Sequence, residues 1–144
     1  MSHFKKKLLL CFFLFMTQLS IAQKVDDKLY NKGTTYLNAG DYEKAVKNFN
    51  KSIEKNDKFV DAYFNRALSY TYLKKYDEAI NDYSIVIQLD PNNEVSFFNR
   101  SRIFNLKKEY QKALSDLNSA INIDKKFIEV YFDKAQVMIN MKNL

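Results

Sequence analysis

A shift of 34 residues superposes the chain on itself. Asn31, Asn65 and Asn99 fall into one column, Tyr42, Tyr76 and Tyr110 into a second, Ala45, Ala79 and Ala113 into a third, and Ile53, Ile87 and Ile121 into a fourth. Four invariant columns in one register constrain the fold more than any other feature of this 144-residue chain. Self-similarity at this period marks a stack of supersecondary units, each too small to bury its apolar face alone and each completed by its neighbours. The composition, 47% apolar and 28% charged, is that of a folded globular protein able to supply such a shared core.

Within a period the apolar spacing is helical twice. Tyr63, Ala67 and Tyr70 stand at i, i+4 and i+7, and Tyr76, Ala79, Tyr83 and Ile87 resume the pattern after a break. Each unit therefore reads as two amphipathic helices. The breaks fall at Ala39-Gly40-Asp41, Lys74-Lys75 and Lys107-Lys108-Glu109. Asp90-Pro91-Asn92-Asn93 ends the second pair, because proline cannot continue a helix and asparagine tolerates turn geometry. The pattern predicts helices over about 26–39, 42–55, 60–73, 76–89, 94–107, 110–123 and 128–141. Ala45, Ala79 and Ala113 are expected to face the partner helix where backbones approach closely, so that a larger group would force them apart. Tyr42, Tyr76 and Tyr110 are expected to wedge between repeats with the hydroxyl at the wet edge. Glu43, Asp77 and Glu78 follow in the first turn, where a helix N-terminus favours negative charge.

A 34-residue helix-turn-helix with this order of aromatic, small and aromatic residues resembles the tetratricopeptide repeat. The signature reads Leu29, Gly33, Tyr36, Ala45, Phe49 in the first repeat, Tyr63, Ala67, Tyr70, Ala79, Tyr83, Pro91 in the second, and Phe97, Ser101, Phe104, Ala113, Leu117 in the third. Departures are Leu29 where an aromatic is usual, and Asp57 and Lys125 where proline is usual, which bears on loop stiffness rather than on the fold. The resemblance implies an all-α fold, a right-handed superhelical solenoid of antiparallel helix pairs, with three full repeats plus one extra helix. The repeats span about 26–59, 60–93 and 94–127, with a partial unit over 128–144, all within a domain of residues 23–144.

The partial unit is a first helix without its second. Lys126 to Ala135 mirrors Lys58 to Ala67 two periods earlier. Solenoid ends need a polar outer face, yet Val137, Met138, Ile139 and Met141 crowd this helix. The expectation is a fragment of a longer reading frame; the alternative is an apolar end that docks onto something.

Residues 1–22 are set apart. Lys5, Lys6 and Lys7 precede an apolar run from Leu8 to Met16, and Ser20 and Ala22 stand at the −3 and −1 positions of a cleavage site before Gln23, the layout of a secretory signal peptide. A membrane anchor needs about 20 consecutive apolar residues, and Thr17, Gln18 and Ser20 break the run too early. A lipoprotein signal wants a small residue just before its cysteine, whereas Leu10 precedes Cys11. The expectation is export to the periplasm or the medium, with no stable membrane insertion after cleavage. Loss of the three lysines takes the formal net charge from +6 to +3, and the same cut removes His3 and Cys11, the only histidine and the only cysteine. A chain with neither, with two glycines and with no metal-ligand spacing has little means for enzyme chemistry, and no catalytic, metal or cofactor site is expected. Lysines alternate with acids instead of forming a stripe, which argues against nucleic acid.

What remains is binding. The resemblance implies that the first helices line a concave surface that holds a peptide or helix of another protein. Projected onto that face are Tyr30, Phe64, Phe98 and Phe132 in one row, Asn31, Asn65, Asn99 and Asp133 in the next, then Thr34, Leu68, Arg102 and Gln136, with Tyr72, Asn105 and Leu106 further along. The asparagine amides offer donors and an acceptor to a peptide backbone without reading its sequence; the competing reading is that they cap local geometry or meet water. The aromatic row is either a set of anchor sites or packing. The clamp subtype that grips chaperone C-termini is not implied. It places Lys and Asn in the first repeat and Lys and Arg in the third, where this chain has Tyr30, Thr34, Val95 and Asn99, and only Asn65 fits. Arg66–Asp82 and Arg100–Asp116 are expected to pair across the two helices of a repeat, at about 0.2–1 kcal/mol each if exposed. The leading reading is a cell-envelope interaction scaffold; the runner-up is a self-association module that forms homo-oligomers through the apolar C-terminal helix.

Overall fold

The structure, a computed structural model, describes residues 28–143. The signal-peptide reading of residues 1–22 and the start of the first repeat lie outside the described residues. Within them the chain is all-α. Helix α1 occupies residues 28–38, followed by α2 (Tyr42–Lys55), α3 (Val60–Tyr72), α4 (Tyr76–Leu89), α5 (Glu94–Leu106), α6 (Tyr110–Ile123) and α7 (Ile128–Lys142). Helix ends fall within a residue or two of the expected ones. Each helix packs on the next, and α5 also meets α7, so contacts are confined to near neighbours as in a solenoid.

The columns of the sequence are the core of the stack. Ala45, Ala79 and Ala113 are all fully buried. Ala67, Ala79, Tyr83 and Ile103 form one apolar cluster, and Phe104, Ala113, Leu117, Ala120, Val130 and Val137 form the next. Gly33 holds the place of Ala67 and Ser101, and a β-carbon there would come within 2.6 Å of the Phe49 ring. The first pair thus closes more tightly than the others.

Two loop devices recur with the period. The proline that positions 57 and 125 lack is replaced by a side-chain turn. Asn56, Asp90 and Asp124 each accept, through Oδ1, the backbone N–H two residues on, at 3.1, 3.2 and 2.8 Å. Between the helices of a pair, Gly40, Lys74 and Lys108 all adopt positive φ, of 77°, 58° and 60°. Only at Gly40 is that conformation free of a side-chain penalty. Lys74→Gly and Lys108→Gly are therefore expected to raise stability by about 0.5–1 kcal/mol each, because relief of the left-handed strain outweighs the flexibility gained by the unfolded chain. A chemical denaturation midpoint that stays or falls in both variants would contradict this.

The arginine pairs form, but not as surface bridges. Arg66 Nε and Nη2 donate to Asp82 Oδ2 and Oδ1 at 2.7 and 2.6 Å, and Arg100 repeats the fork on Asp116 at 2.8 Å for both bonds. The side chains of Asp82 and Asp116 are only 1% and 7% exposed. Each arginine also reaches back one repeat, Arg66 Nη1 to Asn50 and Arg100 Nη1 to Ser84, at 2.8 and 2.7 Å. The expected pairing of the two helices within a repeat is present, buried rather than exposed, and each arginine in addition ties its repeat to the one before it.

Candidate binding groove

The first helices α3 and α5 run side by side with α4 behind them, and the space between them is an open cavity of about 320 Å³. Leu68, Thr71 and Tyr72 form its α3 wall, Asn99, Arg102, Ile103 and Leu106 its α5 wall, and Tyr83 of α4 its floor. Five of the residues projected onto this face, Leu68, Tyr72, Asn99, Arg102 and Leu106, are brought together here. Tyr72 and Leu106 stand one period apart and present large exposed apolar surface at the mouth, 56% and 63%. Tyr72 is held in place by stacking on Tyr42, with ring centroids 4.6 Å apart. A second, smaller cavity of about 200 Å³ adjoins the first through Arg102 and Leu106 and continues along Asn105, Asp133 and Gln136 toward α7. The result is a track that runs from the second repeat across the third to the partial fourth.

Its floor is a buried tyrosine. Tyr83 is fully buried, and its hydroxyl has no hydrogen-bond partner among the described residues. Burial pushes the phenol's pKa well up, against the opposing pull of the Thr71 hydroxyl and the Asn99 amide beside it. Arg102 is the cation of the rim. It lies 5.6 Å from the Phe98 ring and 3.4 Å from Asp133. Burial raises the Asp133 carboxyl's pKa, and Arg102 pulls it partly back.

The other projected residues have different surroundings. Tyr30 is half-buried against Phe49 and Phe59, and its hydroxyl accepts from the Asn65 amide at 2.9 Å. Phe64 meets the edge of Tyr83 and Phe98 the edge of Phe127. Phe132 alone of that row is largely exposed, at 73%. Asn31 is exposed on α1. The asparagine column is thus divided among an intramolecular bond, a cavity wall and solvent. Thr71, Ile103 and Tyr83 are lining residues that the projection left out. Thr71 and Ile103 follow Leu68 and Asn99 by three and four positions, a helical spacing that places them on the same face. Tyr83 carries no such signal, because it belongs to a second helix and reads as core.

A larger cavity, about 520 Å³, lies elsewhere, between α2 and α4 around Arg66 and Asp82 with Glu54, Asp77 and Glu78 at its rim. Its one cation is already saturated by Asp82 and Asn50, so this cleft has little left to offer a ligand. Among the described residues no group of His, Cys, Asp and Glu is placed to hold a metal ion, and no helix is long and apolar enough to cross a membrane.

A stack of antiparallel helix pairs with a groove on its first-helix face defines a helical-repeat protein. Residues 27–59 and 60–93 each match the family model of the tetratricopeptide repeat, and the chain is a tetratricopeptide-repeat protein. A search of curated protein sequences returns no match. The fold is similar to the first such domain of Spaghetti (RPAP3), solved with the HSP90 peptide SRMEEVD, at a TM-score of 0.79 and 18% identity over 83% of this chain and 94% of that one. It is similar to the Arabidopsis OM64 domain at 0.79 and 18%, covering 83% and 98%. For the TPR2B domain of yeast Sti1, solved as a complex with pHsp70, the values are 0.72 and 24%, covering 78% and 98%.

Proposed function

We propose that this protein is an interaction scaffold whose first-helix groove holds an extended segment of a partner protein. The observation that carries the reading is the cavity between α3 and α5, where Leu68, Ile103 and the exposed Tyr72 and Leu106 supply apolar surface beside the neutral polar groups of Thr71, Tyr83 and Asn99. Such a mix fits one apolar side chain and the peptide unit that bears it. Of the similar structures, the RPAP3 domain holds an HSP90 peptide and the Sti1 domain is in complex with pHsp70. This chain has Tyr30, Thr34, Val95 and Asn99 where a cationic clamp would put most of its donors, and Asn65 is engaged with Tyr30. A neutral segment with an apolar anchor suits it better than an acidic terminus. The lysine-led apolar segment at residues 5–16 supports a cell-envelope setting for this work.

The test is to select peptides from a displayed random library with the purified protein and to measure the best binder against Asn99→Ala and Leu106→Asp. Each change is expected to weaken binding about tenfold or more, as expected for loss of an interface anchor, while helical circular dichroism is kept. Unchanged affinity in both variants would place the binding site elsewhere. A fusion of residues 1–40 to a phosphatase active only outside the cytoplasm checks the export reading; an inactive fusion refutes it.

A further inference from the structure

The cavity between α3 and α5 departs from the period at two positions, and both changes leave a polar group facing it. Phe49, Tyr83 and Leu117 share one column of the second helices, and all three are 0% exposed. Only Tyr83 carries a hydroxyl, and it forms no hydrogen bond among the described residues. Thr71 beside it has already committed its proton to the Ala67 carbonyl, at 2.9 Å. The second departure lies in the row of first-helix aromatics. One repeat earlier the Asn65 amide donates to the Tyr30 hydroxyl at 2.9 Å, whereas Asn99 has Phe64 in the place of that tyrosine. The Asn99 side chain therefore stays in the cavity wall, next to the Tyr83 hydroxyl.

A buried donor without a partner costs stability, and the core column that bears it takes phenylalanine or leucine in the other repeats. The group that completes it comes from outside and is neutral. Burial holds the Tyr83 phenol protonated, so it offers a hydrogen bond rather than a charge. At the rim Arg102 repels a cation, and Asp133 already meets its charge at 3.4 Å, so no carboxylate is called for. The group also arrives on a side chain, because Tyr83 is fully buried behind α3 and α5 and a peptide backbone flanked by its own residues stays at the mouth. A primary carboxamide meets these conditions. Its carbonyl accepts from Tyr83, and its remaining donor and acceptor sites complement Asn99 whichever way that amide is turned.

We infer that the groove takes a glutamine side chain of its partner, with the methylenes between Leu68 and Ile103 and the carboxamide against Tyr83 and Asn99. The apolar anchor of the same segment sits beside it on Tyr72 and Leu106, which the exposed mouth provides. This inference rests on the groove being the binding site, and it makes Tyr83 the residue that sets specificity there.

The probes are peptides selected from the displayed random library. They are expected to share a glutamine, and its replacement by methionine, which keeps the length and removes the carboxamide, is expected to weaken binding about tenfold. Tyr83→Phe keeps the ring and its edge contact with Phe64. It is expected to weaken the glutamine peptide about tenfold and to leave the methionine peptide unchanged, so that the two changes together cost no more than either alone. Because the hydroxyl bonds nothing in the free fold, the urea midpoint of Tyr83→Phe is expected to hold or rise. A lowered midpoint would show that the hydroxyl serves the fold, and would overturn the inference. So would peptides that lose binding to Leu106→Asp yet tolerate methionine at every position, or that share serine, threonine or tyrosine in place of glutamine; the groove would then stand and the carboxamide fall. Peptides indifferent to both Leu106→Asp and Asn99→Ala, or no peptides at all, would remove the groove itself and the inference with it.

Discussion

Replacing Asp82 by alanine is expected to cost about 3–5 kcal/mol of stability, among the largest effects of any single change in this protein. The carboxylate takes two hydrogen bonds from Arg66, whose third goes to Asn50, so three helices of two repeats meet at one guanidinium. That guanidinium lies 5.2 Å from the Tyr63 ring and 5.9 Å from the Tyr70 ring, with 16% of its side chain exposed. Burial raises the Asp82 carboxyl's pKa more than Arg66 lowers it, so desolvation takes back much of what the attraction gives. Such a pair fixes which helices sit together more than it adds net stability, and removal of one partner leaves the other charge largely desolvated and unpaired. Arg66→Met combined with Asp82→Leu is accordingly expected to lie within about 1–2 kcal/mol of the parent, far from the sum of the single changes. Urea denaturation of the two single variants and the double supplies the cycle. A cost below about 1 kcal/mol for Asp82→Ala would show that the pair behaves as an exposed bridge.

That pair also marks where the sequence stops being informative. Period, helix limits and the buried alanines follow from spacing alone, because a helix of fixed pitch turns the positions of Ala45, Phe49, Ala79 and Tyr83 into a buried stripe. The Arg66 to Asp82 spacing of 16 repeats at Arg100 and Asp116, so the partnership was legible. Its burial was not, since depth depends on Tyr63, Tyr70 and the preceding repeat closing over it together. The groove shows the same division. Leu68, Tyr72, Asn99 and Arg102 share a helix face and were placed by periodicity, whereas Tyr83 enters from behind and looks like core until α3, α4 and α5 are packed. Tyr30 and Asn65 looked like free groove residues. Their mutual bond spans 35 positions, and it forms because adjacent first helices lie side by side. The turns at Asn56, Asp90 and Asp124 are less legible because the column is not invariant, Asn in the first loop and Asp in the next two, and only the second is followed by a proline.

Phe49→Ala is expected to cost a comparable 3–5 kcal/mol, the usual range for a fully buried phenylalanine, but to spend it in a different place. Phe49 fills the first pair. Its ring sits against Gly33, with no β-carbon between, and 6.0 Å from Tyr30. In a stack held by nearest-neighbour contacts, a lesion in the first described pair loosens that pair before the rest, because among the described residues α2 packs chiefly on α3 and Tyr30 of α1 meets Phe59 in the turn between them. Amide hydrogen exchange should then show residues 28–55 losing most of their protection while α5, α6 and α7 keep theirs. Asp82→Ala, acting where α2, α3 and α4 are stapled, should lower protection on both sides of it. The contrast reaches function, because the walls and floor of the cavity come from α3, α4 and α5. A peptide held there should still bind the Phe49→Ala variant at a temperature where the first pair is open, and should bind the Asp82→Ala variant poorly. Equal loss of protection along the whole chain in both variants would mean that the repeats fold as one cooperative block, and the independence of the groove from the first pair would fall with it.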